Sequence, residues 1–321
     1  MSSVEIFPLE IESATTFTKV VTTIQLVYGI PSFLMLISFL FFLGCSKNYQ
    51  NSFYRLVQLD LLTNILCYFN TWIALRLEKT NTGNRIQKSI ESTIPGLLDW
   101  SNALTNFFMH MQFCSAIVLS LHRITSVKFF TSYEKLWFRF YPLYGLLCVI
   151  YSTLLMQFSG KSYLISVING TLTATYYPIL DARSVKLSAI YSIAYFSLLL
   201  GFGLFAAYLV AKKIRTLSSD DRGISKKLTK IAITYCAIYS GILLWSVLTT
   251  LNTIIPWQPD IIADNNFTIL LFSSDMFTLA LPYILLIYDV NVRRDVVQLL
   301  KRQTASGTSQ VFISTTPFVQ N

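Results

Sequence analysis

Charge is scarce in this chain. Only 13% of its 321 residues are Asp, Glu, Lys or Arg, against 53% that are hydrophobic. A soluble globular chain carries roughly 25% charged residues, so a water-facing surface of ordinary composition is excluded over most of the length. Histidine is scarcer still: His110 and His122 are the only two, too few for a hydrolase-type zinc site. The five cysteines, Cys45, Cys67, Cys114, Cys148 and Cys236, all lie in or beside apolar runs without metal-ligand spacing. They read as small buried hydrophobes, not as a disulfide or zinc framework. The first 22 residues hold Glu5, Glu10 and Glu12 with a single lysine, so the basic start of a cleavable signal peptide is missing. No nucleophile–base pair or metal set can be assembled, which argues against an enzyme and a resident cofactor. No internal repeat is detectable, which counts against the inverted-repeat transporters.

What is present is apolar sequence, with a mean hydropathy of +0.53. About 20 apolar residues cross the hydrocarbon core as a helix, because backbone polar groups in lipid must be satisfied internally. Residues 23–45, 141–158, 186–211, 229–255 and 267–289 have that length and character. Residues 54–75, with Arg55, Gln58, Asp60, Asn64 and Asn70, and residues 100–126, with Asn102, Asn106, His110 and Gln112, span only if their polar face turns toward other helices. The reading is an all-α, seven-transmembrane helix bundle in the plasma membrane.

Orientation follows from the basic residues. With the N-terminus outside, 17 of the 25 Lys and Arg fall on the cytoplasmic side and 8, Arg76 among them, on the outer side. That asymmetry favours N-out, C-in. The net charge of +9 is then topology and attraction to anionic membrane lipid, with no nucleic acid implied. Asn169-Gly170-Thr171, after the fourth span, is a glycosylation sequon on the outer side; Asn266-Phe267-Thr268 lies too close to the seventh span to be modified. Residues 1–22 form an outer segment. Residues 290–302 carry Val292, Val296, Leu299 and Leu300 at helical spacing among basic residues, a short amphipathic cytoplasmic helix. Residues 303–321 read as a disordered tail.

The third span ends on VLSLHRITSVKFF, residues 118–130. From Trp100, Arg123 lies about 35 Å along a helix, at the inner edge of a core about 30 Å thick. An arginine there snorkels at little cost. Leu121-His122-Arg123-Ile124 also partly matches the acid-Arg-Tyr motif of rhodopsin-like receptors, keeping the Arg alone. The match is much closer to the nematode serpentine receptors of class gamma. HMQFCSAIVLSLHRITS (110–126), NSFYRLVQLDLLTN (51–64) and LPYILLIYDVNVRRDV (281–296) resemble that family in the second, third and seventh spans. The resemblance implies a chemosensory receptor for a small pheromone- or odorant-like molecule, coupled to a heterotrimeric G protein. Pro282 with Tyr288 stands where rhodopsin-like receptors carry Asn-Pro-x-x-Tyr, with Leu281 replacing the Asn. By comparison with rhodopsin-like receptors, in which the Tyr stands closer to the Pro, the candidate switch residues are Arg123, His122, Pro282 and Tyr288.

Other residues stand out by depth. Asp60, with Asn64 one turn on, is either a polar switch or cation site between helices, or a packed pair. Asp275 lies about 13 Å below the start of the seventh span, directed to a ligand or to another helix. No Lys lies in that span, so a retinal Schiff base is excluded. His110 and Asn106 in the third span, and Tyr191, Tyr195 and Trp245 in the outer halves of the fifth and sixth, are further pocket candidates. Asp99 and Trp100 mark the outer end of the third span. The third inner loop concentrates basic residues, among them Lys212, Lys213, Arg215, Lys226 and Lys227, on a surface open to lipid or to a G protein. A ligand-gated channel or a transporter is the alternative, separated from a receptor by conductance without a G protein.

Overall fold

The computed structural model describes residues 4–9, 15–129, 132–159, 163–214, 222–254 and 260–311. Residues 1–280 form one compact unit. Its first helix, α1 (Thr16–Cys45), starts where the Thr15 hydroxyl accepts the Thr18 N–H at 3.2 Å, a side-chain cap for one of the free amides of the first turn. Gln25, Gly29, Ser32, Leu36, Phe39 and Leu43 are buried, recurring every three or four residues on a single face. The opposite face carries Val27, Leu34 and Phe41, 70%, 57% and 66% exposed. An apolar residue exposed on that scale all along a helix is the mark of a lipid-facing surface.

Helix α2 (Ser52–Thr71) opens on Asn51, whose side chain accepts the Tyr54 N–H. Its polar residues Asp60, Thr63, Asn64, Asn70 and Thr71 are all buried, which places them toward the other helices, as the cost of a polar group in lipid demands. The helix widens into a π turn over Trp72–Arg76 and a 3-10 turn over Leu77–Lys79. The amphipathic α3 (Asn81–Thr93) follows, capped by Thr80. Glu91 on α3 accepts the Gly96 and Leu98 N–H groups and so caps the start of α4 (Leu97–Lys128). Helices α5 (Tyr133–Ser159), α6 (Pro178–Ile214), α7 (Arg222–Ile254) and α8 (Asp260–Tyr288) complete the series. Phe113 of α4, Tyr195 of α6, Tyr239 of α7 and Phe277 of α8 share one buried cluster.

Five of these helices are long and apolar enough to cross a membrane: within α1, Leu97–Ser126 of α4, Tyr133–Ser159, Pro178–Ala206 and Asn265–Tyr288. Helix α2 falls short through its polar face, and in α7 the apolar stretch among the described residues is Ala237–Asn252.

One part of the sequence reading is corrected. The chain is not wholly helical. β1 (Glu5–Pro8), β2 (Tyr163–Ile168) and β3 (Thr171–Tyr176) form an antiparallel sheet in the order β1-β3-β2. Asn169 and Gly170 connect β2 to β3 with positive φ at both positions, 51° and 74°. A two-residue hairpin turn of that sign fits the twist of the strands, and Asn-Gly is its favoured sequence. Leu172 and Ile165 pack with Leu98 at the head of α4. The Leu9 N–H donates to the Leu172 carbonyl and the Asn84 amide donates to the Leu9 carbonyl, each at 2.9 Å. The sheet therefore rests on the α3–α4 end of the bundle.

Residues 281–321 form the second unit. Within it, Asp289 accepts the Asn291 and Val292 N–H groups and caps α9 (Val290–Val311). This helix begins where the sequence places its amphipathic helix and runs nine residues past residue 302.

Candidate ligand-binding site

A cavity of about 610 Å³ lies between the sheet and the helices at that end. Phe7 and Pro8 of the first strand and Leu9 just after it, with Tyr163, Ile165 and Ala174 of the hairpin, form its cover. Its helical walls include Asn102 and Asn106 of α4, Ser188 of α6, Trp245 of α7 and Phe267 of α8. Concave, mostly apolar sites of about 300–1,000 Å³ are those that enclose small ligands. Asn106 and Trp245, two of the sequence candidates, face this space. The Trp245 indole nitrogen itself has no accessible surface on this space, and it has no acceptor among the described residues.

The ionisable lining is Glu78, Lys79, Asp99 and Asp181. Lys79 pairs with Glu78 at 2.9 Å and lies over the Phe267 ring. Asp99 accepts the Ile165 N–H at 2.7 Å, and Asp181 accepts the Tyr176 hydroxyl at 3.0 Å. Burial pushes the Tyr163 phenol up to about 12, and the charges of Asp181 and Glu78 add to the rise. Burial and Asp181 move Tyr176 in the same direction.

Asp275 is outside the cavity lining. It is 2% exposed, ion-paired with Arg76 and hydrogen-bonded by the Tyr28 hydroxyl. Sequence counting sets Arg76 among the outer-loop charges; the structure buries it to 3% exposure, with its guanidinium over the Tyr68 and Trp72 rings. The π turn brings it inside, since a wider turn changes which side chains at the helix end face the bundle. Arg76 and Tyr28 are the residues that sequence reasoning missed, and the one available signal was the unpaired acid in the seventh span.

His110, Tyr191 and Tyr195 meet one another away from the cavity. His110 Nδ1 is 2.8 Å from the Tyr195 hydroxyl, which is 2.9 Å from that of Tyr151. The Tyr191 ring stands edge-on to the His110 ring with centroids 5.0 Å apart. Asp60 and Asn64 make no shared bond. Asp60 faces the Ser115 hydroxyl, while the Gln112 amide donates to Asn64 at 2.7 Å and to Thr278 at 3.0 Å.

At the other end of α4, His122 is buried and its Nε2 lies 2.8 Å from the Ser52 hydroxyl. That hydroxyl donates to Glu134, which also accepts the Ser52 N–H. Arg123 is partly exposed beside this junction. Lys212 is exposed near the end of α6; Arg215 and the side chains of Lys213, Lys226 and Lys227 lie outside the described residues. Pro282 sits inside α8 and Tyr288 is its last residue. Asn169 is exposed on its turn, whereas Asn266 is helical and accepts the Thr249 hydroxyl.

Several long helices, five of them apolar enough to span, with acids and amides paired inward and apolar residues outward, define a multi-pass membrane protein of the serpentine kind. The chain belongs to the Srg family of chemoreceptors, whose family model matches residues 22–296. It is 35% identical to serpentine receptor class gamma-47 of Caenorhabditis elegans over 295 residues, 92% of this chain and 95% of that protein. It is 30% identical to serpentine receptor class gamma-53 of the same organism over 275 residues, 85% of this chain and 89% of that protein.

Proposed function

We propose that this chain is an N-out, seven-helix chemosensory receptor that takes a small external molecule into the sheet-covered cavity and signals at the opposite end through a heterotrimeric G protein. The observation that carries the reading is the cavity itself. It is of ligand size, it opens among α4, α6, α7 and α8, and its cover comes from the segments that N-out topology puts outside the cell. A ligand that binds one arrangement of those helices more tightly than another shifts the population toward it. The other end of α4 carries His122 and Arg123, and α6 runs from the cavity wall to the basic residues at 212–213. Asn106 and Trp245 contact the ligand in this reading; Asp275, His110, Tyr191 and Tyr195 hold helices together around it. Arg123 and the basic inner loop receive the G protein, with Asp60, Asn64, Pro282 and Tyr288 along the path of the change.

The test is expression in cells with accessible tags at each terminus and a G-protein activation readout. The reading expects an exposed N-terminus, a protected C-terminus and a response that the cavity-filling Ala103→Trp abolishes at unchanged surface level. An exposed C-terminus, or ligand-evoked current without G-protein activation, would overturn it in favour of a channel or transporter.

A further inference from the structure

From the cover of the cavity, and resting on the reading of that cavity as the ligand site, we infer that β1 is its gate. The strand swings about Leu9 to admit a ligand and closes behind it, while the β2–β3 hairpin stays fixed. The two parts of the cover are held unequally. In the hairpin, β2 and β3 pair over six residues each. Leu172 and Ile165 are buried against Leu98, and Asp99 of α4 accepts the Ile165 N–H. By contrast, β1 is an edge strand that pairs with β3 alone, over four residues. All four are exposed, Ile6 to 64%, although Phe7 lines the cavity. Segments with few buried apolar contacts open locally before the rest of a fold does.

The hinge is Leu9. Its N–H donates to the Leu172 carbonyl and its own carbonyl accepts the Asn84 amide. Its side chain packs against the cluster of Leu98, Ile165 and Leu172. The strand before it is held by its backbone ladder to β3. The Leu9–Leu172 bond also sets the alternation of that ladder. It makes 9 and 172 a hydrogen-bonded pair, so Phe7 and Ala174 form the next, and Pro8 turns its nitrogen to the open edge. The residue that cannot donate thus stands where no donation is needed. A proline there also blunts the edge against a further strand, which leaves β1 tied on one side. Ile6 lies opposite Thr175 and, by the alternation of side chains, on the face away from Phe7 and the cavity.

Ile6 and Thr175 form a non-hydrogen-bonded pair, whose Cα atoms approach to about 4.5 Å, inside the range of about 4.4–6.8 Å that a disulfide spans. The test uses the full-length receptor in lipid nanodiscs and a cationic methanethiosulfonate reagent. Cys45→Ser removes the exposed thiol, and Ala103→Cys in the cavity wall reports access, read at position 103 by peptide mass. Ile6→Cys with Thr175→Cys, oxidised with copper phenanthroline before the reagent is added, should slow labelling roughly tenfold or more, because the open state is removed. Reduction should restore the rate, and the chain without the pair, oxidised in the same way, should label at full rate. Deletion of residues 4–8 should speed labelling severalfold, and it carries the test if the pair does not close. Equal rates in the locked and reduced chains, or no gain on deletion, would overturn the gate and leave the cavity as the ligand site. Failure of the site itself is read separately, from a G-protein response that survives Ala103→Trp.

Discussion

Arg76 and Asp275 stand 199 residues apart in the sequence and form an ion pair inside the bundle, with the Tyr28 hydroxyl on the same carboxylate. The pair ties the end of α2 to α8, and the Tyr28 bond adds α1. Leu75, beside Arg76, and Leu270, five residues before Asp275, both line the cavity, so the pair fixes two of its walls. Removing one partner leaves an uncompensated buried charge, at a cost of about 3–5 kcal/mol. Arg76→Met and Asp275→Leu should each lower the thermal stability of the purified receptor by that order. The double variant should recover most of the loss, since neither charge remains. Losses that simply add in the double variant would show that the pair is not coupled.

Gly29 on α1 lies directly against Tyr68 of α2. A Cβ there would lie 2.0 Å from the Tyr68 hydroxyl oxygen and 3.2 Å from the ring carbon that bears it. Gly29→Ala should therefore destabilise by about 1–3 kcal/mol, the usual cost of overpacking. The Tyr68 hydroxyl oxygen is the nearest of these atoms, so Tyr68→Phe relieves the worst of the clash and leaves the 3.2 Å ring contact. Melting curves of the two single variants and the double variant should show rescue.

How much of this was legible depended on which physical signal each residue leaves. The buried polar face of α2 was readable because charge and amides are so rare here that Asp60 and Asn64 had to face inward. Asp275 was readable for the same reason, but its partner was not. Counting at one helical rise per residue sets Arg76 past the membrane, and only the π turn over Trp72–Arg76 brings it back. The hairpin left a signal that was read for something else. Asn169-Gly170 between the runs YLISVI and TLTATY is a strong turn sequence, and the same asparagine also opens a sequon. Asp181 and Glu78 lie at the start of α6 and in the turn before α3, and acids near a membrane surface carry no signal until a cavity forms beside them.

Ser52 is the junction of three elements at the other end: its hydroxyl meets His122 of α4 and Glu134 of α5 while it sits in the first turn of α2. Ser52→Ala leaves the buried His122 without this partner, at about 1–3 kcal/mol, while the half-buried Glu134 keeps the Ser52 N–H. Glu134→Gln keeps the shape and one acceptor, so its effect should be smaller. Denaturation of both variants would check the order, and ligand binding at the cavity should be unchanged in either. A reversed order would remove Ser52 from the centre of the junction.

The Tyr163 phenol gives the sheet a pH dependence. Its value rises from 10.0 to about 12 in the folded chain, so the folded state holds its proton where the unfolded state has lost it. Stability from this group is full below about pH 10 and falls as pH climbs toward about 12. Tyr163→Phe should remove that part of the alkaline loss, read as a flatter stability profile over this window. An unchanged profile would place the loss on another group.

Asn169 links the hairpin to topology. It is exposed at a turn whose second residue, Gly170, also has positive φ, and the sequon places a glycan there only if the hairpin enters the lumen. Asn169→Gln should abolish a glycosidase-sensitive mobility shift, while Asn266→Gln should leave it intact because Asn266 is helical and bonded to Thr249. Gly170→Ala separates the two roles of the turn. It keeps the Asn-x-Thr sequon, so the glycan remains, but it strains the left-handed position by about 1–2 kcal/mol. The cavity cover depends on the register that this turn sets, so the variant should loosen ligand binding without losing the glycan. An unglycosylated wild-type chain would put the hairpin on the cytoplasmic side and carry the cavity with it.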